Sequence, residues 1–392
     1  MDPLRLNSRH LRAMVAIVAT GRISSAAHAV NLTQPAVTQG IAKLEAQIGL
    51  PLFHRRPDGM TPTDAAHILA PRAEVALRLI GSRHATGAQI RAFLALAHAG
   101  SYAAAAVETG LSEASLHRAV GDLSIGLGQR LAERRGRGVV LTARGAAAAR
   151  NFRLALVELR MALAELSALQ GREVGRIVIG AMPLSRARLL PHVIGLFHTR
   201  HPQVDLSIVE GSYAELVGPL RDGEIDLVVG ALRPQSQEGI VQQALFRDRP
   251  VIIGRGGHPL VVRGGVVSAD DLAHYPWVVP APGTPLRTQW ASMLESAGLE
   301  PPRVPIECGS VMMVRQLLVD SDFLTLLSVD QVRVELDAGL LAVIGDAPGD
   351  VSRMIGISTR EDWRPTALQS RLIASLAEQV GPIGYTAMEQ QQ

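Results

Sequence analysis

The chain is poor in cysteine, aromatic side chains and lysine. Among its 392 residues Cys308 is the single cysteine. No disulfide can therefore close within the chain, which fits a reducing cytosol. A redox-sensing thiol would need a resolving partner, so Cys308 is expected to be a small buried apolar residue. Aromatics make up 3% of the chain against 47% hydrophobic residues, so any core is aliphatic, built from Ala, Leu, Val and Ile. No apolar run of about 18 residues is present, which argues against a membrane span. The opening MDPLRLNSRHLRAM lacks the apolar stretch of a secretory signal, so the chain is expected in the cytoplasm. Catalytic patterns are missing as well. His198 and His201 (HTRH) have no carboxylate-rich neighbour that would complete a metal site and are expected to flank a helix end. Gly254–Gly257 (GRGG) reads as a turn, because no P-loop lysine follows, and no Gly-x-Ser-x-Gly elbow occurs. Catalytic residues, metal and cofactor are each expected to be none, and the chain is not expected to be an enzyme.

What is present is a repeat. Leu32–Arg56 (LTQPAVTQGIAKLEAQIGLPLFHRR) has a weaker copy 79 residues on, Leu111–Arg135 (LSEASLHRAVGDLSIGLGQRLAERR). Without a gap, Ala26-Ala27 falls on Ala105-Ala106, Leu44 on Leu123, Gly49 on Gly128, Arg55-Arg56 on Arg134-Arg135 and Thr63 on Thr142. A repeat of this length is two copies of one small folded unit. Each reads helix, tight turn, capped helix, basic hairpin, the layout of a winged helix-turn-helix that enters a DNA groove.

Charge supports that reading. The net formal charge is +3, but residues 1–86 carry ten Lys or Arg against five Asp or Glu, and residues 87–150 carry eight against four. Residues 151–392 are acidic, with 21 against 27. A basic front on an acidic back suits a polyanion-binding head. Nearly all the positive charge is arginine; Lys43 is the single lysine.

In the first copy, Leu11, Met14, Val15 and Val18 recur at helical spacing and Gly21 ends that helix. Ser24-Ser25 starts a short helix, Ala26–Val30, and Asn31 supplies the turn. Thr33 is a suitable N-cap, with Pro35 in the first turn where its missing N–H costs nothing. This helix is expected to reach Ile48, with Ala36, Val37, Ile41 and Leu44 inward, and Gly49 closes it. A strand follows from Leu52-Phe53, then a turn at Arg55–Gly59 and a second strand near Thr61–Thr63. A helix over Asp64–Ser82 trails the first copy and is expected to be shortened by Pro71. Another, Ala146–Gln170, trails the second. In it Leu156, Leu159, Leu163 and Leu166 are spaced as a coiled-coil seam. That seam serves either dimerisation or packing on the helix's own domain. After Gly171 strands and helices alternate, the rhythm of an open parallel sheet. Val351–Thr359 is expected to return to the first half of this region.

On the Thr33–Ile48 helix, Gln34 suits bidentate contact with adenine. Thr33, Pro35 and Thr38 are small enough to let the backbone approach the DNA, Gln39 lies on the same face, and Lys43 reaches phosphate. Arg55 and Arg56 lie along the backbone or in the minor groove.

The segment RISSAAHAVNLTQPAVTQGIAKLEAQIGLPLFHRR resembles the N-terminal reader of LysR-type transcriptional regulators. GRIVIG, LLP, FHTRHPQVDLSIVEG and LRDGEIDLVVG resemble that family's effector domain, and AMPLSRARLLP is most similar to the subgroup of the galactose-binding-protein regulator. The resemblance spans roughly residues 8–380. It implies two tandem winged helix-turn-helix domains, a linker helix and a two-lobed periplasmic-binding-protein-like α/β effector domain. The corresponding boundaries are 1–86, 87–147, 148–171 and 172–380. Lobe I is expected at about 176–247 and 348–380, lobe II at about 248–347, and a frayed tail at 381–392. It also implies a small-molecule effector held between the lobes, sugar-derived or an organic acid, with double-stranded DNA, a homodimer or homotetramer, and RNA polymerase as partners. Effector positions by match are Leu184, Ser185, Arg186, Thr284, Arg287, Gly309 and Ser310. The two serines would donate to the ligand and an arginine would pair an anion.

The second copy departs from the pattern. Glu113 stands for Gln34, Ala114 for Pro35 and Asp122 for Lys43, so acids face the phosphates. Yet His117 and Arg118 replace Thr38 and Gln39, and Arg134, Arg135 and Arg137 keep the wing basic. It is either a DNA contact of altered preference, or a spacer or dimer platform touching DNA only through its wing. Two other classes stay open on residues alone: a solute-binding protein or enzyme with an α/β cleft, and a scaffold using the readers for protein contacts.

Overall fold

A computed structural model describes residues 1–56, 59–136 and 138–381. The chain divides into two compact units, Met1–Gly175 with Asp222–Glu224, and Arg176–Arg221 with Ile225–Gln392.

The first unit opens with a 3-10 turn and continues through α1 (Ser8–Thr20), α2 (Ile23–Ala29), α3 (Gln34–Ile48), the hairpin β1 (Phe53–Arg56) and β2 (Gly59–Pro62), and α4 (Asp64–Ile80). The series is then built again as α5 (Gly87–Ala99), α6 (Tyr102–Thr109), α7 (Glu113–Leu127), β3 (Ala132–Arg135), β4 (Gly138–Leu141) and α8 (Ala143–Leu169). At the 79-residue displacement the bounds of α1 and α5, of α3 and α7 and of all four strands coincide, and so do the ties that set their geometry. Thr63 and Thr142 each cap the following helix and donate a hydroxyl proton back to the hairpin base, to Pro51 O at 2.7 Å and Arg130 O at 2.8 Å. The second wing strand donates to the end of the first helix, Met60 N–H to Gly21 O at 2.9 Å and Val139 N–H to Gly100 O at 2.8 Å. Gly49 and Gly128 end α3 and α7 at φ of 76° and 66°, the left-handed region where a side chain is penalised.

Three local expectations change. Pro71 does not shorten α4: it lies on the exposed face, where the unfilled carbonyl one turn back meets solvent, while Arg72 and Ala73 beside it are buried. Ala36 is exposed, because the buried stripe of α3 is Val37, Gly40, Ile41, Leu44 and Ile48. Arg55 and Arg56 belong to β1 and not to the turn, pairing with Met60 and Gly59.

One hydrophobic core runs through both copies and both trailing helices, from Met14 and Leu44 through Leu69 to Phe93 and Phe152. The last two rings meet edge to face at 6.0 Å. Of the two readings of the leucine seam, the packing favours the helix's own domain. α8 lies along α4, with Leu159 and Leu166 buried and Leu156 and Leu163 half-buried.

The second unit begins with β5 (Gly175–Ala181), α9 (Leu189–Arg200), β6 (Val204–Glu210), α10 (Tyr213–Arg221), β7 (Leu227–Ala231) and β8 (Ile240–Asp248). Its middle part holds β9 (Val251–Arg255), α11 (Pro259–Arg263), α12 (Ala269–His274), β10 (Val278–Val279), α13 (Pro285–Ser296), β11 (Ile306–Glu307), α14 (Val311–Val319), β12 (Thr325–Leu327), α15 (Arg333–Asp337) and β13 (Leu341–Asp346). Then β14 (Arg353–Arg360) joins the first strands and α16 (Ala367–Glu378) closes the unit.

The main sheet has the order β6-β5-β7-β14-β8. It is mixed, not the open parallel sheet expected. β5 and β7 are parallel, but β14 returns from the middle part antiparallel to both β7 and β8. β9 is the centre of an antiparallel sheet of order β12-β9-β13, and β10 pairs parallel with β11. Ile179, Leu227, Ile355 and Leu372 anchor one core; Trp277, Trp290 and Leu294 anchor another. His201 is the C-cap of α9, its ring 4.6 Å from Phe197. Gly254 lies in β9, and the turn follows at Gly256-Gly257. Among the described residues no helix is long and apolar enough to cross a membrane, and no cluster of His, Cys, Asp and Glu could hold a metal. The 382–392 tail lies outside the described residues.

Candidate nucleic-acid interface and ligand cavity

The basic face of the first copy is built from the start of α3 and the outer strand of its hairpin. Thr33 sits ahead of the helix in extended conformation, and its hydroxyl accepts the Ala36 N–H at 3.4 Å. Gln34 and Pro35 occupy the first turn. Thr33, Gln34, Pro35, Gln39 and Lys43 are exposed; Thr38 is half-buried. None of the exposed groups is drawn into the core, because the opposite stripe alone packs inward. Behind α3 the His10 ring fills the space a side chain at position 40 would need. A Cβ on Gly40 would lie 2.9 Å from His10 Cδ2. His10 Nδ1 is buried without a hydrogen-bond partner among the described residues, and burial, with the nearby Lys43 charge, holds the imidazole pKa below its ordinary value. Arg55 and Arg56 project from β1 and are exposed.

In the second copy Ser112 caps α7 by accepting the Ser115 N–H at 3.2 Å. Glu113, Ala114, His117, Arg118 and Asp122 are all exposed. His117 stacks on Tyr102, ring centroids 3.5 Å apart and 20° from parallel. Tyr102 stands where the first copy has Ile23, a substitution that sequence reading passed over. Arg134 and Arg135 are exposed on β3. Arg137 lies outside the described residues.

The second unit holds a cavity of about 390 Å³ lined by residues that include Met182, Leu184, Arg186, Tyr213, Arg233, Thr284, Cys308, Gly309, Val311, Thr325, Leu327, Gln331 and Arg353. Of the expected effector residues, Leu184, Arg186, Thr284 and Gly309 line it. Arg186 is ion-paired with Glu210. Thr284 donates to Ala281 O at 2.9 Å and caps α13.

Ser185, Arg287 and Ser310 are not among the lining residues, for identifiable reasons. The Ser185 hydroxyl is buried and engaged with Met182 O and Val229 O at 2.9 and 2.8 Å. Arg287 turns to Pro280 O and Glu307 and lies 4.8 Å over the Trp290 ring. Ser310 is exposed, and its hydroxyl caps α14. Cys308, expected buried, is half-buried on the cavity wall.

Sequence reading missed the most informative lining groups. The Arg233 guanidinium lies 4.6 Å over the Tyr213 ring. Arg353 Nε donates to Asp248 at 2.7 Å, while its Nη2 is buried with no hydrogen-bond partner among the described residues. The buried Tyr213 hydroxyl lacks one too. No motif marks these three; the fold brings together the segment just past β7, the start of β14 and the start of α10. An apolar-walled space edged by the side chains of Arg186, Arg233 and Arg353 suits a small anion such as a carboxylate.

A model of bacterial regulatory helix-turn-helix proteins of the lysR family matches residues 8–67 and again 88–146. One of the LysR substrate binding domain matches residues 170–381. The HTH-type transcriptional regulator GalR of Pseudomonas putida is 32% identical over 386 residues, covering 95% of this chain and 97% of that protein. The SDS degradation transcriptional activation protein of a Pseudomonas species is 34% identical over 267 residues, 68% of this chain and 86% of that protein. Among solved structures, a full-length OxyR variant from Pseudomonas aeruginosa aligns at a TM-score of 0.53 and 21% identity, over 75% of this chain and 97% of that one. That last likeness concerns the fold.

Proposed function

The chain belongs to the LysR family of bacterial transcription regulators, a DNA-binding regulator with an effector-binding domain, and from there we propose how its residues divide the work. The first copy reads the operator. Gln34 makes the base-edge contact, Thr33, Pro35, Thr38 and Gln39 fit the groove, and Lys43, Arg55 and Arg56 hold phosphate. The observation that carries this is the exposed polar face of α3, capped at Thr33, together with the exposed arginines Arg55 and Arg56 on β1. The second copy is a duplicated winged helix-turn-helix reader, with His117, Arg118, Arg134, Arg135 and Arg137 toward DNA.

The domain boundaries are those read from the sequence. The two halves of the second unit act as periplasmic-binding-like lobes around the cavity. The effector is an organic acid or sugar acid. Leu184, Arg186, Thr284 and Gly309 contact it, joined by Tyr213, Arg233 and Arg353; the arginines at the wall of an otherwise apolar cavity support this choice. Ligand binding shifts the lobes and with them the reader geometry. The regulator works in the cytoplasm as a homo-oligomer and touches RNA polymerase.

The test has two parts. Duplexes are selected from a random pool by the full-length protein, and binding is followed as salt rises. Affinity is then measured with a panel of small carboxylic acids and neutral sugars. The reading expects an enriched sequence, a steep salt dependence, and a response to an acid that Arg353→Met removes. An unenriched pool contradicts it, and so does a ligand response unchanged in Arg353→Met.

A further inference from the structure

The two trailing helices run antiparallel within one chain, and each ends against the other copy's recognition helix. α4 leaves the first hairpin, where Thr63 N–H donates to Leu52 O at 3.0 Å. Just past its end, Ser82 Oγ donates to Gly126 O at 2.9 Å, in the last turn of α7. α8 leaves the second hairpin, where Thr142 N–H donates to Leu131 O at 3.1 Å. At its end Gln170 Nε2 donates to Gly49 O at 3.2 Å and Ile48 O at 3.4 Å, the end of α3. The two sets of contacts are alike in kind, though not residue for residue, because α8 is ten residues longer than α4. The arrangement approximates the two-fold relation of a dimer, with each trailing helix reaching the other copy's recognition helix. Midway along α4, buried Arg72 donates to Glu165 Oε2 at 2.9 Å and Glu158 Oε2 at 3.2 Å on α8.

We infer that one chain is by itself a complete two-reader unit, an internal pseudo-dimer whose α3 and α7 enter two unlike half-sites of a single operator. This rests on the reading of the chain as a DNA-binding regulator. An approximate two-fold relation places α3 and α7 on opposite sides of the axis at the same height along it, so both can meet one face of a duplex. The 17 residues of α4 span about 26 Å. With a recognition helix beyond each end, that is the scale of one turn of B-DNA, about 34 Å.

The half-sites differ because the exposed residues differ. α3 offers an amide, Gln34, which suits adenine, and Lys43 for phosphate. α7 offers Glu113, which accepts from the cytosine amino group, and Arg118, which suits guanine, while Asp122 gives up the Lys43 phosphate contact. The operator is therefore asymmetric, with a stronger A·T-containing half and a weaker G·C-containing half.

The test tethers an iron–EDTA cleavage reagent to the full-length chain carrying Cys308→Ser and either Ala42→Cys or Gly121→Cys. These two positions are equivalent and exposed, and a Cβ at Gly121 meets nothing within 4 Å. Cys308→Ser alone gives the background. The DNA is the duplex that the full-length protein enriches from a random pool, and chains per duplex are counted by native mass spectrometry. The inference expects Ala42→Cys to cut at one half-site, Gly121→Cys at the other about one turn away, and a single chain to suffice. It also expects Arg134→Ala with Arg135→Ala to lower affinity for the whole site about tenfold or more, with the first half-site alone unaffected. If Ala42→Cys cuts at both half-sites, Gly121→Cys stays at background and two chains are required, the inference is overturned and the regulator reading stands. If neither position cuts and no duplex is enriched, both fall.

Discussion

Replacing Arg72 with methionine separates an electrostatic clamp from simple packing. The Arg72 side chain is 6% exposed, Glu158 9% and Glu165 25%. Removing the cation leaves the Glu158 carboxylate buried beside an apolar helix face. Breaking such a buried pair by removing one partner costs about 3–5 kcal/mol. With a urea m-value of about 2 kcal/mol/M for a unit of this size, the midpoint falls by roughly 1.5–2.5 M. The assay can assign that loss. Trp277, Trp290 and Trp363 all lie in the second unit, so tryptophan fluorescence follows that unit while far-ultraviolet circular dichroism follows both. Arg72→Met should move the dichroism transition and leave the fluorescence transition in place. Arg72→Met with Glu158→Leu and Glu165→Leu removes all three charges and should recover to within about 1 kcal/mol of the parent. A midpoint shift below about 0.5 M, or a triple variant no better than the single, would refute the clamp.

Two further outcomes follow from the same geometry. Arg55→Ala with Arg56→Ala should weaken binding to every duplex alike and reduce the slope of log affinity against log salt by about 1.8; an unchanged slope in a salt titration would remove the wing from the phosphate contacts. In the second unit, His258 Nδ1 accepts the Leu260 N–H at 3.2 Å, and burial outweighs the Asp322 contacts to hold the imidazole pKa below its ordinary value. Below about pH 6.5 the unfolded chain therefore binds a proton that the fold resists, so stability present at neutral pH is lost on acidification. The urea midpoint read by fluorescence should drop between about pH 7.5 and 5.5, and the drop should shrink in His258→Asn; an equal drop in both proteins would discount His258.

Local grammar carried the readers. Thr33 and Pro35 open α3 and Gly49 closes it 16 residues after the cap, and the second copy repeats the cap and the glycine at the same spacing with Ser112 and Gly128. What could not be read depends on residues far apart in the chain. Arg72 meets Glu158 and Glu165 across 86 and 93 residues, so a heptad seam on α8 could not reveal that its partner was α4. The direction of β14 is likewise fixed by where the chain re-enters the sheet, not by its own apolar pattern. Of the residues matched to the effector site, the two serines prove to be a buried group and a helix cap outside the cavity lining. Tyr213, Arg233 and Arg353 carry no local signature and are brought together only by folding. His117 was read as an exposed contact; its stacking on Tyr102 depends on a residue at the start of a different helix.

The most direct measurement is the ratio of affinities of full-length protein for the selected duplex and for its scrambled counterpart, in the parent and in Gln34→Ala. A bidentate amide–adenine contact contributes about 1–3 kcal/mol of discrimination, so the ratio should fall roughly 5- to 150-fold while affinity for the scrambled duplex holds. A ratio that survives the substitution intact would mean that the start of α3 does not read the bases.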